Sequence, residues 1–217
     1  MNPNFKHDFS SASIKHQIEA EFYQIAGKNL SKTLTFGTIV TGPDHARHVK
    51  NYRECINDNT IRICETNLDV FMDIYSAYKN NKKVNVSYMS IELFGSLFMD
   101  CDLTCTSDLD VISNALLKQI KDQACLPTQS KAFIFSIGLR SHDPRPVDSY
   151  LRPIFGLLGA SVAKVIKCDS ELVMKQRECK WIKPVKIYGT KGRIKEYKCY
   201  SYNAGGGPML TCLIIYK

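Results

Sequence analysis

Residues 132–139 read AFIFSIGL: Ala132, Phe133, Ile134, Phe135, Ser136, Ile137, Gly138 and Leu139. Aromatic and β-branched side chains crowd the run, and the turn-rich SHDPRP (141–146) follows after Arg140, so it predicts the clearest strand of the chain. Helical patterns flank it. Upstream, Ser107 and Asp110 resemble a capping box, and Leu109, Ile112, Leu116, Leu117 and Ile120 recur at helical spacing before Pro127. Downstream, Asp148 or Ser149 starts a helix through Leu151, Ile154, Phe155, Leu158 and Val162, with Pro153 tolerable in its first turn.

Further out, TLTFGTIVT (Thr33–Thr41) reads as a strand ending at Gly42-Pro43, and TIRICE (Thr60–Glu65) should pair with it as a hairpin across a long polar excursion. Thr66 or Asn67 can cap a third helix bearing Leu68, Phe71, Met72, Tyr75 and Tyr78. Asp69 and Asp73 suit its positive end, and Asn80-Asn81 stops it. Val84–Leu97 alternates and then turns apolar, which we read as a strand running into a short helix. Near the C-terminus, Trp181–Tyr188, Ile194–Tyr202 and Met209–Tyr216 read as three strands joined by glycine-rich turns.

Strands and helices mix without a regular βαβ beat, so the expected class is α+β. We expect a mixed or antiparallel sheet, three main helices and a C-terminal β-hairpin region. Residues 1–28 read as a flexible polar arm holding one short helix (Ile14, Ile18, Phe22, Ile25), and 29–217 as one globular domain.

Charge is distributed unevenly. Residues 1–163 hold 17 Lys and Arg against 17 Asp and Glu, whereas 164–217 hold 12 against 4, so the last quarter supplies the whole formal +8. Its cations Lys164, Lys167, Lys175, Arg177, Lys180, Lys183, Lys186, Lys191, Arg193, Lys195 and Lys198 are interleaved with Trp181, Tyr188, Tyr197, Tyr200 and Tyr202. Cations beside aromatics suit phosphate contacts plus base stacking, and equally suit anionic lipid headgroups. Ile154, Phe155, Leu157 and Leu158 are the expected apolar surface for membrane contact or self-association.

Nine cysteines without paired spacing suit a reducing compartment, where thiols behave as small apolar residues. The longest apolar stretch, Ile154–Ala163, is interrupted by Gly156, Gly159 and Ser161, so no transmembrane segment is expected. Asp44, His45 and His48 in TGPDHARH could supply metal ligands, but no partner His/Glu motif follows, and a polar loop is the simpler account. Cys101 and Cys105 have zinc-ligand spacing without a second pair. Gly205–Gly207 lacks the Gly-Lys-Ser/Thr ending of a phosphate loop. No metal, cofactor or catalytic residue is therefore expected, and the chain reads as a non-enzyme.

FMDIYSAYKNNKK (Phe71–Lys83), VNVSYMSIELFGSLF (Val84–Phe98) and AFIFSIGL, in that order behind a polar arm, resemble a rhabdovirus matrix protein. The resemblance implies a virion structural protein that self-associates and bridges a nucleocapsid or RNA to the inner face of an anionic membrane. It places the chain in host cytoplasm and virion, peripheral on that face. Only Pro3 stands within residues 1–28, so a PPxY-type budding motif is absent there. An RNA-binding accessory protein such as a viral silencing suppressor is the alternative, and a small metal-dependent hydrolase using Asp44, His45 and His48 a third.

Overall fold

The strand read from AFIFSIGL is β5 (Lys131–Gly138), and every one of its residues is buried. A strand without an exposed face must be central and covered on both sides. β5 runs parallel to β4 (Phe98–Asp102) along one edge and antiparallel to β11 (Pro208–Tyr216) along the other. In this computed structural model the described residues are 14–29, 36–39, 46, 49–50, 61–65, 67–88, 98–102, 109–121, 130–138, 147–162, 165–169, 180–184, 187–188, 193–203 and 208–217.

The remaining strands of the sheet are β1 (Phe36–Ile39), β2 (Ile61–Glu65), β3 (Val84–Tyr88), β7 (Val165–Asp169), β8 (Lys180–Pro184) and β10 (Ile194–Asn203). Their order is β3-β2-β1-β4-β5-β11-β10-β8-β7. β6 (Ser161–Val162) and β9 (Ile187–Tyr188) form a separate antiparallel pair. From β3 to β5 all pairings are parallel, and from β5 to β7 all are antiparallel.

Helices and strands are mixed, as expected, and the C-terminal hairpin β10–β11 forms. The missing βαβ beat is present, however. Helix α2 (Leu68–Tyr78) separates β2 from β3, and α3 (Leu109–Lys121) separates β4 from β5. The hairpin expected between residues 33–41 and 60–65 is instead a parallel crossover, Phe36 facing Ile61 and Ile39 facing Cys64. Residues 40–60 supply the dozen or more residues that a parallel connection requires, a length no tight turn uses.

Alternation along β5 and β11 divides the core into two layers. On one face Ile14, Ile18, Phe22, Tyr23 and Ala26 of α1 (Ile14–Asn29) and Ile74 of α2 pack on Ile61, Ile63, Ala132, Ile134, Leu213 and Ile215. On the other, Ile112, Ala115 and Leu116 of α3 join Tyr150, Leu151, Ile154, Phe155 and Leu158 around α4 (Val147–Leu157), against Phe133, Phe135, Ile137, Leu210 and Ile214.

Two expectations change with these layers. Residues 14–29 are a core helix, not part of a flexible arm, because their apolar stripe is buried against the sheet. Ile154, Phe155 and Leu158 are likewise core, with Leu157 half-buried beside them, so they present no surface to a membrane or a second copy.

Local chemistry sets the helix ends. Asn67 caps α2, its Oδ1 accepting from the Asp69 and Val70 amides at 3.0 and 3.2 Å. α4 ends in a Schellman turn: the Ala160 amide donates to Phe155 O at 3.0 Å and the Gly159 amide to Gly156 O at 2.9 Å. Gly159 carries the required left-handed φ of 73°. Pro153 lies well inside this helix and faces solvent, beyond the first turn in which its sequence context had placed it.

Candidate functional site

β1 lies between β2 and β4, both of which follow it in the chain. After β1 the chain builds β2 and β3 on one side, then crosses back to build β4 and β5 on the other. Such a reversal parts the connecting segments and leaves a crevice outside the carboxyl ends of the strands, where open α/β sheets bind ligands. The carboxyl-terminal residues of β1, β2, β4 and β5 at this reversal are Ile39, Glu65, Asp102 and Gly138.

Among the described side chains at these ends, Glu65 carries a charge. It is 2% exposed, and its Oε1 accepts the Asn67 amide at 2.8 Å, which ties the carboxylate to the N-terminal turn of α2. The positive end of that helix favours an anion. Glu65 also stands about 20 residues beyond Gly42, the separation at which an acidic residue ending the second strand meets a ribose hydroxyl in dinucleotide-binding folds. Sequence reasoning took TIRICE as a strand and overlooked its last residue. The available signal was an acid closing an apolar strand at that distance from a glycine turn.

Behind the rim the seam between the parallel and antiparallel halves is polar inside. Ser136 of β5 and Thr211 of β11 face each other with hydroxyls 2.8 Å apart, and Tyr202 of β10 brings its hydroxyl within 2.8 Å of Thr211. All three residues are buried. Cys199 and Cys212 form a second cross-strand pair, both fully buried. Burial pushes the Cys212 thiol well above its ordinary range, with the hydrogen bond to Cys199 adding to the rise. These two thiols act as small apolar residues.

The expected polyanion surface is divided. Lys167 lies in β7, Lys180 and Lys183 in β8, and Lys195 and Lys198 in β10, on neighbouring strands at one side of the sheet, and exposed Arg193 directly precedes β10. Lys164, Lys175, Arg177, Lys186 and Lys191 fall outside the described residues. Two of the cations have local partners: Lys198 forms an ion pair with Glu21 of α1, and Lys195 donates to Ser130 Oγ at 2.6 Å. The register sets Asp169 opposite Lys180. Tyr200 and Tyr202, expected to stack with bases, are each 2% exposed. Tyr200 donates to Glu21 at 2.8 Å, and Tyr197 packs edge-on against Phe155. Aromatics held in the core cannot offer a stacking surface.

Of the candidate metal ligands, Cys101 lies in β4, whereas Asp44, His45, His48 and Cys105 fall outside the described residues. Among the described residues no helix is long and apolar enough to cross a membrane.

No family model matches the chain, and no curated protein matches it in sequence. Solved structures do match in fold. An O-methyltransferase from Bacillus cereus in complex with SAH aligns with a TM-score of 0.55 at 10% identity, covering 98% of this chain and 84% of the other. A Klebsiella pneumoniae protein assigned as an O-methyltransferase gives a TM-score of 0.55 at 10% identity, covering 96% and 83%.

The likeness is one of fold, to methyltransferases and not to a matrix protein, and it overturns the resemblance drawn from residues 71–83, 84–98 and 132–139. Within those segments the described parts are the end of helix α2, the edge strand β3 (Val84–Tyr88) and the central strand β5, patterns that many folds share. The expectation of a virion structural protein falls with that resemblance, and the non-enzyme reading, drawn from the lack of familiar catalytic motifs, is contradicted by the fold shared with these methyltransferases.

Proposed function

We propose that this chain is a methyltransferase that takes its methyl group from S-adenosylmethionine held in the crevice at the carboxyl ends of β1, β2 and β4. One observation carries the reading: a buried carboxylate, Glu65, closes the strand beside the switch point of a sheet whose parallel half ends in an antiparallel hairpin. The likeness to the O-methyltransferase folds supports it.

The residues fit a nucleoside. Glu65 is acceptor-only when ionised, so it can take a hydrogen bond from a ribose hydroxyl but not give one. Its anchoring to the Asn67 amide holds it in place before any ligand arrives, which lowers the ordering cost of binding. The connection after β1 carries Gly42 as its single glycine, TGPDHARH, so close backbone approach to a ligand is available at one position rather than three. When bound, S-adenosylmethionine supplies an electrophilic methyl carbon on a sulfonium centre.

The acceptor class follows from charge. The excess of cations in residues 164–217, with exposed Arg193 among them, favours a polyanionic acceptor such as RNA through counterion release. The test is transfer of labelled methyl from S-adenosylmethionine to RNA and to protein acceptors. Glu65→Gln should reduce transfer by at least tenfold through weaker cofactor binding. Absence of transfer to every acceptor, together with absence of S-adenosylhomocysteine binding, would remove the reading.

A further inference from the structure

α2 carries two apolar stripes. Val70, Ile74 and Tyr78 face the sheet, with Ile74 fully buried. The second stripe faces solvent: Leu68 is 55% exposed, Met72 51% and Tyr75 45%, and Tyr88 at the end of β3 is 43% exposed. Phe71 joins them, its ring centroid 5.7 Å from Tyr75 and 5.5 Å from Tyr88. These residues form one apolar lip along the outermost strand of the parallel half. A single exposed Leu needs no explanation, whereas a contiguous group of large side chains marks an interaction surface.

We infer that this lip is the contact between two copies of this chain, packed with α2 antiparallel to its mate about a two-fold axis near Met72 and Tyr75. Two features select a second copy over another partner. The first is charge. Exposed Asp69 and Asp73 lie in the first half of α2, and exposed Lys79 and Lys82 lie just beyond its C-terminus. Antiparallel packing brings the acidic end of each helix beside the basic end of the other, and aligns the two helix dipoles favourably. Parallel packing would set like charges together.

The second is area. At about 200 Å² for a fully exposed large side chain, four half-exposed ones present about 400 Å². A two-fold contact uses the same patch on both copies and doubles this to about 800 Å², and the flanking charged residues bring it near the ~1,000 Å² at which specific interfaces begin. The contact is therefore a modest, reversible dimer, strongest at low salt.

Sedimentation velocity across a concentration and salt series tests this on the full chain. The wild type should shift from monomer to dimer with rising concentration, and the midpoint should move to at least threefold higher concentration between 50 and 500 mM salt, on the order expected for screened charge pairs. Met72→Lys with Tyr75→Lys should abolish the shift. Because both side chains are exposed, the melting temperature should match that of the wild type at concentrations where both are monomeric, which separates a lost contact from misfolding. Asp69→Lys should weaken dimerisation, and adding Lys79→Asp should restore it. A chain that stays monomeric at all concentrations, or dimerises equally well with both lysine substitutions, overturns the inference. So does a dimer that the charge exchange fails to restore.

Discussion

Thr211 has one hydroxyl hydrogen and two hydroxyl neighbours, Ser136 and Tyr202, each 2.8 Å away. At least one neighbour must therefore donate to it. Thr211→Val keeps the shape and removes the centre of the group, leaving the Ser136 hydroxyl buried without its partner, a loss of about 1–3 kcal/mol. Adding Ser136→Ala should then recover part of that loss, since removing both partners of a buried hydrogen bond is far less harmful than removing one. Urea denaturation of the three variants reads the pattern, and a double variant no more stable than Thr211→Val alone would contradict it. Cys212 makes a second residue-level prediction. Burial raises its folded-state pKa above the unfolded value, so its contribution to stability is complete below the ordinary thiol value of about 8.5 and is lost as pH climbs through the folded value. Unfolding free energy measured from pH 7 to 10 should fall above that point, and Cys212→Ala should flatten the fall. Neither buried pair was legible in the sequence, because each depends on which strands lie side by side. The Asn67 cap was legible, since a cap and its helix are neighbours in the chain.

α1 shows where local pattern stops being informative about an element. The helical spacing of Ile14, Ile18 and Phe22 was visible in a segment otherwise rich in Asn, Ser, Lys and His, but spacing does not say what the stripe will meet. It meets the sheet: Phe22 is fully buried, its ring centroid 5.8 Å from that of Tyr200, and Glu21 holds both Tyr200 and Lys198. Phe22→Ala should therefore lower unfolding free energy by about 3–5 kcal/mol, the range for a buried aromatic. A flexible arm would register almost no change, so one denaturation curve decides between the two descriptions. The same limit applies to α2. Its helical spacing was read from Leu68, Phe71, Met72, Tyr75 and Tyr78, yet the sheet-facing side is Val70, Ile74 and Tyr78, so of the residues read only Tyr78 faces the sheet. Period identifies the helix and leaves its rotation open when both sides carry apolar residues. α3, β5 and the β10–β11 hairpin were read nearly in place because each buries the one face or run its own pattern dictates.

At the scale of the molecule the property that matters is strand order, which no stretch of sequence records. Strong single-strand patterns were seen on both sides of the switch point. The direction of their pairing depends on crossovers through residues 40–60 and on β4, whose FMDCD is too short and too polar to stand out. The proposed function places the nucleoside at the strand reversal beside β1 with Glu65 as its contact, so it makes a global thermodynamic prediction. A ligand that binds the folded chain alone stabilises it by RT ln(1 + [L]/Kd), about 2.7 kcal/mol at a hundredfold excess over Kd. For a domain of this size each kcal/mol raises Tm by about 2–4 °C, so saturating S-adenosylhomocysteine should raise Tm by about 5–10 °C. Adenosine should give a smaller shift, because it presents the ribose diol without the amino-acid end. Glu65→Gln should shrink both shifts at fixed ligand concentration, since a neutral amide accepts hydroxyl hydrogen bonds more weakly than a carboxylate. Met72→Lys with Tyr75→Lys should leave them unchanged. A shift that survives Glu65→Gln intact would place the nucleoside away from the end of β2, and would detach the proposed activity from the one carboxylate that supports it.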